Sequence, residues 1–147
     1  MADILHRIGI EHTTPGAVYE RLTTLDGLSS WWTDDTRGDP GAGGTIEFRF
    51  LPGSIFMSVG ELVPDQRVVW SPVTEPEEWV GTTVTWDLRQ DGDFTIVLFE
   101  HTGWAEPTEF MHHCSTKWAT FLMSLKQAVE TGVGAPAPHD VKISDWH

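Results

Sequence analysis

The clearest pattern in the chain is a helical repeat of apolar positions near the C-terminus, from Thr108 to Thr131. Apolar residues recur there at spacings of three and four, which places them on one stripe of a helix. They are Phe110, Met111, Cys114, Trp118, Phe121, Leu122, Leu125 and Val129. Pro107 precedes this stretch and Gly132 follows it, as is typical of the two ends of a helix. A helix of this length is about 35 Å long, so it needs a broad apolar surface to pack against.

Alternation of apolar and polar residues between Thr45 and Thr102 predicts that surface to be an antiparallel sheet. The predicted strands are Thr45–Leu51, Ser54–Val63, Arg67–Ser71, Trp79–Arg89 and Phe94–Thr102, with a loop at Val73–Glu78. The turns between them are marked by Pro52-Gly53, Pro64-Asp65 and Asp91-Gly92. The second and third of these strands carry apolar residues on both faces, so the pattern leaves their inward face open.

The N-terminal third predicts a strand, two short helices and a loop. Ile4–Glu11 alternates as a strand, and Thr14-Pro15 is typical of a helix start. Asp26-Gly27 is expected to end that helix, with a second helical turn at Leu28–Trp32 and a glycine-rich loop at Thr33–Gly44. The fold class is therefore α+β, with about six strands around one long helix, and residues 132–147 form an irregular tail.

Composition and charge narrow the range of functions. We expect 147 residues to form a single domain, residues 1–147, and eight tryptophans in so short a chain require a large core or a cavity to line. The net charge of -13 and the pI near 4.7 disfavour binding to nucleic acid or to anionic membranes. The absence of a signal peptide and the single cysteine, Cys114, favour a cytoplasmic location.

The aromatic residues of the predicted sheet and helices are the main candidates for a ligand-binding wall. Small-molecule sites are lined mainly by apolar and aromatic side chains, with a few polar groups that set orientation. The candidates are Trp32, Phe48, Phe50, Trp70, Trp86, His101, Trp118 and Leu122. The alternative is that these rings fill the core completely.

His101, beside Glu100 and among apolar residues, is the candidate catalytic residue, because histidine exchanges protons near neutral pH. The alternative is a structural histidine with its hydrogen bonds satisfied, and His6 is a similar, weaker case. Catalysis also needs a second titratable group, for which Glu61 or Glu100 would serve.

The run His112-His113-Cys114 has ligand-type side chains but does not predict a metal site. Adjacent residues of a helix point about 100° apart, so these three side chains cannot chelate one ion together. Glu109 and His113 have a spacing that suits two ligands, yet the third is missing. We expect no metal and no cofactor, and Cys114 on the apolar stripe is expected to be a small buried residue rather than a nucleophile.

Motifs spread along nearly the whole chain resemble one known superfamily. They are Thr14-Pro15 through Trp31-Trp32, Gly44-Thr45-Ile46-Glu47-Phe48, Glu61-Leu62-Val63-Pro64-Asp65 before Val69-Trp70, Glu78-Trp79-Val80-Gly81-Thr82, Glu100-His101-Thr102-Gly103-Trp104, and Cys114 with Trp118, Leu122, Ser124-Leu125-Lys126 and Glu130-Thr131-Gly132. Their order and spacing are similar to the START/Bet v 1-like (SRPBCC) superfamily. Within it, the chain resembles the single-domain bacterial relatives of the C-terminal domain of the Hsp90 ATPase activator.

This resemblance implies a helix-grip fold, in which a curved antiparallel sheet closes around the C-terminal helix and leaves a cavity between them. It implies binding of a small apolar or amphipathic molecule, with a cyclase or dehydratase that uses His101 as one alternative. A second alternative is an Hsp90-linked or other protein-interaction module, and the resemblance leaves a homodimer open. The additional N-terminal domain of the eukaryotic activator is missing here, so we do not expect Hsp90 to be the partner.

Overall fold

One antiparallel sheet makes up most of the computed structural model, which describes residues 1–50 and 53–147. Within those residues it has seven strands, β1 Ala2–Glu11, β2 Thr36–Gly38, β3 Thr45–Arg49, β4 Ser54–Val63, β5 Arg67–Pro72, β6 Thr83–Asp91 and β7 Phe94–Trp104. Their order across the sheet is β1-β7-β6-β5-β4-β3-β2. Strands β2 to β7 are therefore neighbours in chain order, and β1 pairs with the other edge of β7.

Three α-helices complete the fold: α1 Pro15–Thr23, α2 Leu25–Ser29 and α3 Glu109–Thr131, with a short 3-10 turn at Glu77–Trp79. The hydroxyl of Thr108 accepts a hydrogen bond from the Met111 amide and caps the start of α3. Gly132 ends the helix in the left-handed conformation, with φ 89°. The buried face of α3 lies against the inward side chains of the sheet, so the predicted α+β helix-grip fold is confirmed.

The strand count of about six was one too low. The extra strand, β2, lies inside the segment predicted as a glycine-rich loop and pairs Thr36 with Phe48 and Gly38 with Ile46. Three residues at the sheet edge are too few to show an alternating pattern, so pairing rather than periodicity produces this strand.

Two predicted boundaries were also wrong. The break between the short helices falls at Thr24, whose hydroxyl caps α2 by accepting from the Gly27 amide at 2.9 Å, and Asp26-Gly27 lies inside that helix. Strand β6 begins at Thr83 rather than at Trp79, because Trp79 ends the 3-10 turn. The end of the predicted strand Thr45–Leu51 and part of the predicted Pro52-Gly53 turn lie outside the described residues.

The burial of individual side chains identifies which face of β4 and β5 points inward, a question that the sequence pattern left open. Met57 and Val59 of β4 and Val68 and Trp70 of β5 are at most 2 % exposed. The pairing of Val59 with Trp70 and of Leu62 with Val68 puts three residue steps opposite two, which is a β-bulge. The bulge changes which face alternate residues occupy, and this is why both faces of β4 look apolar in the sequence.

The segment after α3 folds back onto the body of the molecule. Gly134 passes so close to the Ser30 carbonyl and to Ser124 that a Cβ would clash there, which explains why a glycine occupies this position. Three residues on, Ala137 forms an isolated β-bridge with Thr33. In the described part of the chain, no helix combines the length and the apolar character needed to cross a bilayer.

Candidate functional site

A cavity of about 470 Å³ lies at one end of the fold, between the first half of α3 and the segments that face it. Its walls come from the segment after α2, the residue after β3, the start of β4, the 3-10 turn, α3 and the C-terminal tail. The lining residues are Trp32, Phe50, Ile55, Pro76, Trp79, Phe110, His113, Cys114, Lys117, Trp118, Phe121, Ala137, Pro138, Asp140, Trp146 and His147. Most of these side chains are apolar, and the polar ones come from α3 and the tail.

Helix α3 contributes one continuous stripe to this cavity. The stripe consists of Phe110, His113, Cys114, Lys117, Trp118 and Phe121. These positions are separated by one, three or four residues, so they lie above one another on a single face of the helix. The sequence predicted the apolar members of this stripe, and its two polar members lie among them.

The tail forms the outer wall and is fixed by backbone hydrogen bonds. The Ala137 amide donates to the Trp32 carbonyl at 2.7 Å, and the Asp34 amide donates to the Ala137 carbonyl at 3.0 Å. This short pairing holds Ala137 and Pro138 across the cavity from α3.

The polar end of the cavity is organised by Lys117. Its ammonium lies 2.5 Å from a carboxylate oxygen of Asp140 and donates to the carbonyls of Val141 at 2.6 Å and His147 at 3.2 Å. Nearby, Nδ1 of His113 and the hydroxyl of Ser144 are 3.1 Å apart. Burial, and then the Lys117 charge, lowers the pKa of His113, which favours the neutral imidazole there.

The structure divides the predicted ligand-binding residues into two groups. Trp32, Phe50 and Trp118 line the cavity. The remaining residues, Phe48, Trp70, Trp86, His101 and Leu122, do not line it and are buried in the core.

The buried rings pack directly on one another. The ring centroids of Trp70 and Trp86 are 5.6 Å apart, and those of Trp86 and Phe99 are 4.8 Å apart. Trp32 stacks on Trp70 at 5.8 Å. In this region the second alternative from the sequence, a core filled by aromatic rings, describes the packing.

His101 is fully buried behind the cavity wall, with a hydrogen-bonding partner for each ring nitrogen. The Trp118 indole donates to Nδ1 at 3.1 Å, so Nε2 carries the proton and faces the Thr82 hydroxyl at 2.8 Å. That hydroxyl lies 2.5 Å from the Trp79 carbonyl, to which it donates. Burial lowers the pKa of His101 to about 3. Neither nitrogen is free to take a proton from a substrate, and the carboxylates of Glu61 and Glu100 are exposed.

The other candidate residues from the sequence make hydrogen bonds within the fold or are buried in it. Nε2 of His6 lies 3.1 Å from the Ser115 carbonyl, and the exposed His112 uses Nδ1 on the Thr108 carbonyl at 2.7 Å. Burial raises the pKa of the Cys114 thiol to about 12, so the thiol is protonated at neutral pH. Within residues 1–50 and 53–147, no group of three or more His, Cys, Asp or Glu side chains could hold a metal ion.

Sequence reasoning missed the part of the site that the tail supplies. Asp140, Trp146 and His147 follow no periodic pattern, and their contacts with α3 cross more than twenty residues of chain. One signal was present: Trp146 is a large aromatic residue in an otherwise polar, proline-containing tail. Such a residue indicates that the tail packs against something rather than remaining solvated.

A comparison with models of protein families finds a match over most of the chain. The family model described as "Activator of Hsp90 ATPase homolog 1-like protein" matches residues 12–130. Among the curated proteins, none matches the chain.

Solved structures of similar fold include one that is also similar in sequence. The solution structure of the Aha1 dimer from Colwellia psychrerythraea is 46 % identical, with a TM-score of 0.84, over 91 % of this chain and 100 % of that chain. A protein from Staphylococcus saprophyticus is 15 % identical, with a TM-score of 0.76, over 90 % of this chain and 95 % of that chain. CalU16 from Micromonospora echinospora is 18 % identical, with a TM-score of 0.72, over 92 % of this chain and 69 % of that chain.

The second and third of these similarities show the fold alone, because the sequence identities are low. The family model and the Colwellia protein go further and confirm the resemblance stated from the motifs. With most of its length matched by the model and 46 % identity to the Colwellia protein, the chain belongs to the family of Activator of Hsp90 ATPase homolog 1-like proteins.

Proposed function

We propose that the chain binds a small, largely apolar or amphipathic molecule in the cavity between the first half of α3 and the C-terminal tail. The observation that carries this proposal is the cavity itself, about 470 Å³ in volume with aromatic and aliphatic walls and a few polar groups at one end. Ligand pockets in proteins commonly measure about 300 to 1,000 Å³ and have this division of apolar and polar lining.

Two further features support binding rather than catalysis. The histidine expected to transfer protons has both ring nitrogens engaged, by Trp118 and by Thr82. The thiol that lines the cavity, Cys114, is protonated at neutral pH because burial raises its pKa to about 12. A cavity whose titratable groups are held in this way suits sequestration of a molecule more than its chemical conversion.

The test uses N-phenyl-1-naphthylamine, a neutral aromatic dye, and the change in its fluorescence on binding. We expect saturable binding to the wild-type protein, with quenching of intrinsic fluorescence, because four tryptophans line the cavity. Cys114→Phe places a ring into the cavity and should weaken binding at least about tenfold. Thr116→Phe adds the same ring to the exposed face of the same helix and is the matched control.

The comparison between the two phenylalanine variants decides the proposal. Equal affinity in Cys114→Phe and Thr116→Phe would place the dye outside the cavity, and absence of saturable binding would remove the proposal. Thermal unfolding and circular dichroism of both variants verify that the fold is intact. Native mass spectrometry of the protein from cells then tests for a co-purified ligand.

A second candidate function, self-association, is favoured by one observation. The 46 % identical Colwellia protein is described as a dimer in solution. We propose that this chain also forms dimers, and sedimentation equilibrium over a range of protein concentrations measures this directly. A monomer at every concentration would contradict it. The expectation that Hsp90 is not the partner stays a prediction.

A further inference from the structure

Lys117 is the one lysine or arginine among the described residues that line the cavity. Its ammonium has three hydrogens to donate. The acceptors around it, the Asp140 carboxylate and the carbonyls of Val141 and His147, all belong to the tail. The tail therefore satisfies the complete donor capacity of this group.

The partner carboxylate is less well satisfied than the ammonium. The side chain of Asp140 is 5 % exposed and that of Lys117 is 16 % exposed. One oxygen of Asp140 faces Lys117, while the other, Oδ1, accepts no hydrogen bond from the described residues and has His147 Nε2 at 3.5 Å. A buried carboxylate needs hydrogen bonds on both oxygens to offset its desolvation, so Asp140 is held here by an incomplete set of contacts.

The outer part of the tail has few other attachments. In the described structure, the hydrogen bonds and ion pairs that join residues 140–147 to the rest of the chain all end on His113 and Lys117 of α3. Both of these residues line the cavity. A group that competes for Lys117 therefore competes with the attachment of this segment.

We propose that Lys117 is an anion subsite of the cavity, that Asp140 occupies it in the free protein, and that the ligand is an apolar, ring-containing molecule with an anionic head group that displaces Asp140. This inference rests on the proposed function and adds the ligand class to it. The body of such a ligand lies along Trp118 and Phe121, whose ring has the Lys117 ammonium 5.7 Å from its centroid. Its head group takes the place of the Asp140 carboxylate beside the Lys117 ammonium.

The displacement has a consequence for the tail. Once Asp140 leaves Lys117, the carbonyls of Val141 and His147 and the Ser144 contact with His113 are the remaining polar links of this segment to α3. Residues 140–147 are then held less firmly, while Ala137 stays paired with Trp32 and Asp34. Asp140 of the tail thus occupies the subsite in the free protein, and an anionic ligand must compete with it for Lys117.

Two dyes that share one ring system test the proposal. N-phenyl-1-naphthylamine is neutral, and 8-anilino-1-naphthalenesulfonate adds one sulfonate to the same rings. The measured quantity is the ratio of their dissociation constants, neutral over anionic, for each variant. A change in cavity shape that affects the affinity of both dyes equally leaves this ratio unchanged.

Asp140→Asn removes the competing charge and should raise this ratio about tenfold, since hydrogen bonds to charged groups are the strong ones. Asp145→Asn makes the same chemical change at an exposed position of the same tail and should leave the ratio within about twofold. Ser144→Ala loosens the tail at His113 without touching Lys117 and should shift both dyes together.

A double variant tests the proposal even if Lys117→Met alone prevents folding. Lys117→Met alone leaves Asp140 buried without its cation, whereas Lys117→Met with Asp140→Asn replaces the ion pair by two neutral groups. Whatever its affinity for the neutral dye, the double variant should lower the ratio about tenfold relative to Asp140→Asn alone.

The outcomes separate this inference from the proposed function. If the neutral dye binds in the cavity but Asp140→Asn leaves the ratio at its wild-type value, the anion subsite is overturned and the apolar site remains. If neither dye responds to Cys114→Phe, the cavity does not bind them and the proposed function fails first.

Discussion

The two halves of α3 carry the same apolar repeat but face different surroundings. Leu122 and Leu125 in the second half are at most 1 % exposed and pack into a filled core, whereas Phe110, Cys114 and Lys117 in the first half line a cavity. A helical repeat therefore shows which face of a helix is apolar, but not whether the space opposite that face is filled. What lies across from each half decides the difference.

Under the second half, the residues after α2 fill the space. The Ser124 hydroxyl donates to the Trp31 carbonyl at 2.8 Å, which places this tryptophan directly beneath the helix. Trp31 in turn packs edge-on against Trp86 at 5.5 Å. Under the first half, the opposite walls are the tail and the 3-10 turn, whose backbones run along the surface and leave an opening.

The filled region is stabilised by the burial of apolar surface rather than by polar contacts. The indole nitrogens of Trp70 and Trp86 are buried without a hydrogen-bond acceptor in the described structure. Each unpaired donor costs about 1 to 3 kcal/mol, and a large aromatic ring offsets this by the apolar surface that it buries. The filled core thus depends on close packing.

The largest expected effect tests this contrast directly. Trp86→Ala, at a fully buried ring, should lower the free energy of unfolding by about 3 to 5 kcal/mol, because the surrounding rings cannot close the space. Phe110→Ala, at a half-buried ring of the cavity wall, should cost only about 1 kcal/mol. Urea denaturation of the two variants measures both values. Equal losses would show that the two ends of the molecule are packed alike.

A smaller effect concerns the boundary between the two regions, where His101 lies. Its pKa is about 3 in the folded protein against 6.5 for an ordinary histidine. Below pH 6.5 the unfolded chain therefore binds a proton that the folded protein excludes, and folding becomes less favourable as the pH falls toward 3. Above pH 6.5 this group contributes no pH dependence.

At about 1.4 kcal/mol per pH unit, His101 should cost about 2 kcal/mol between pH 6.5 and pH 5. His101→Gln removes this titration and should flatten the pH dependence of the free energy of unfolding by that amount. His112→Gln, at an exposed histidine on α3, is the control and should leave the dependence as in the wild type. The same slope in both variants would mean that folding does not lower the pKa of His101.

The sequence predicts most of the fold because most of it follows local rules. The α3 stripe and the inward face of β6 both express spacing along one element. Strand β4 shows where this fails, since the bulge between Val59 and Leu62 exchanges its faces and Gly60 is its one mark in the sequence.

The candidate site is less predictable because it is assembled from distant segments. Trp118 lies in the wall of the cavity and Trp86 lies in the core, although both are large aromatic residues on inward faces. Asp140 reaches Lys117 only because the tail turns back after Gly134, where contact with Ser30 and Ser124 requires a glycine. Residue type alone distinguishes neither case, since three-dimensional packing decides both.

The smallest expected effect concerns Ser124, which joins the filled half of α3 to the root of the tail. Its hydroxyl donates to the Trp31 carbonyl and accepts from the Ala135 amide, each at 2.8 Å. Ser124→Ala leaves both backbone groups without this partner and should lower the free energy of unfolding by about 1 kcal/mol. Because Ala135 leads directly to the cavity wall, the variant should also weaken binding of the neutral dye.

Ser115→Ala on the same helix is the matched control, because the Ser115 hydroxyl has only a long contact, 3.4 Å, to Nε2 of His6. We expect it to change neither unfolding nor dye binding measurably. If Ser124→Ala lowers stability but leaves dye affinity intact, the tail holds its place without this link, and the hollow end is set by the Ala137 pairing with Trp32 alone. If both properties fall together, the packed half of α3 positions the outer wall of the cavity through one hydroxyl.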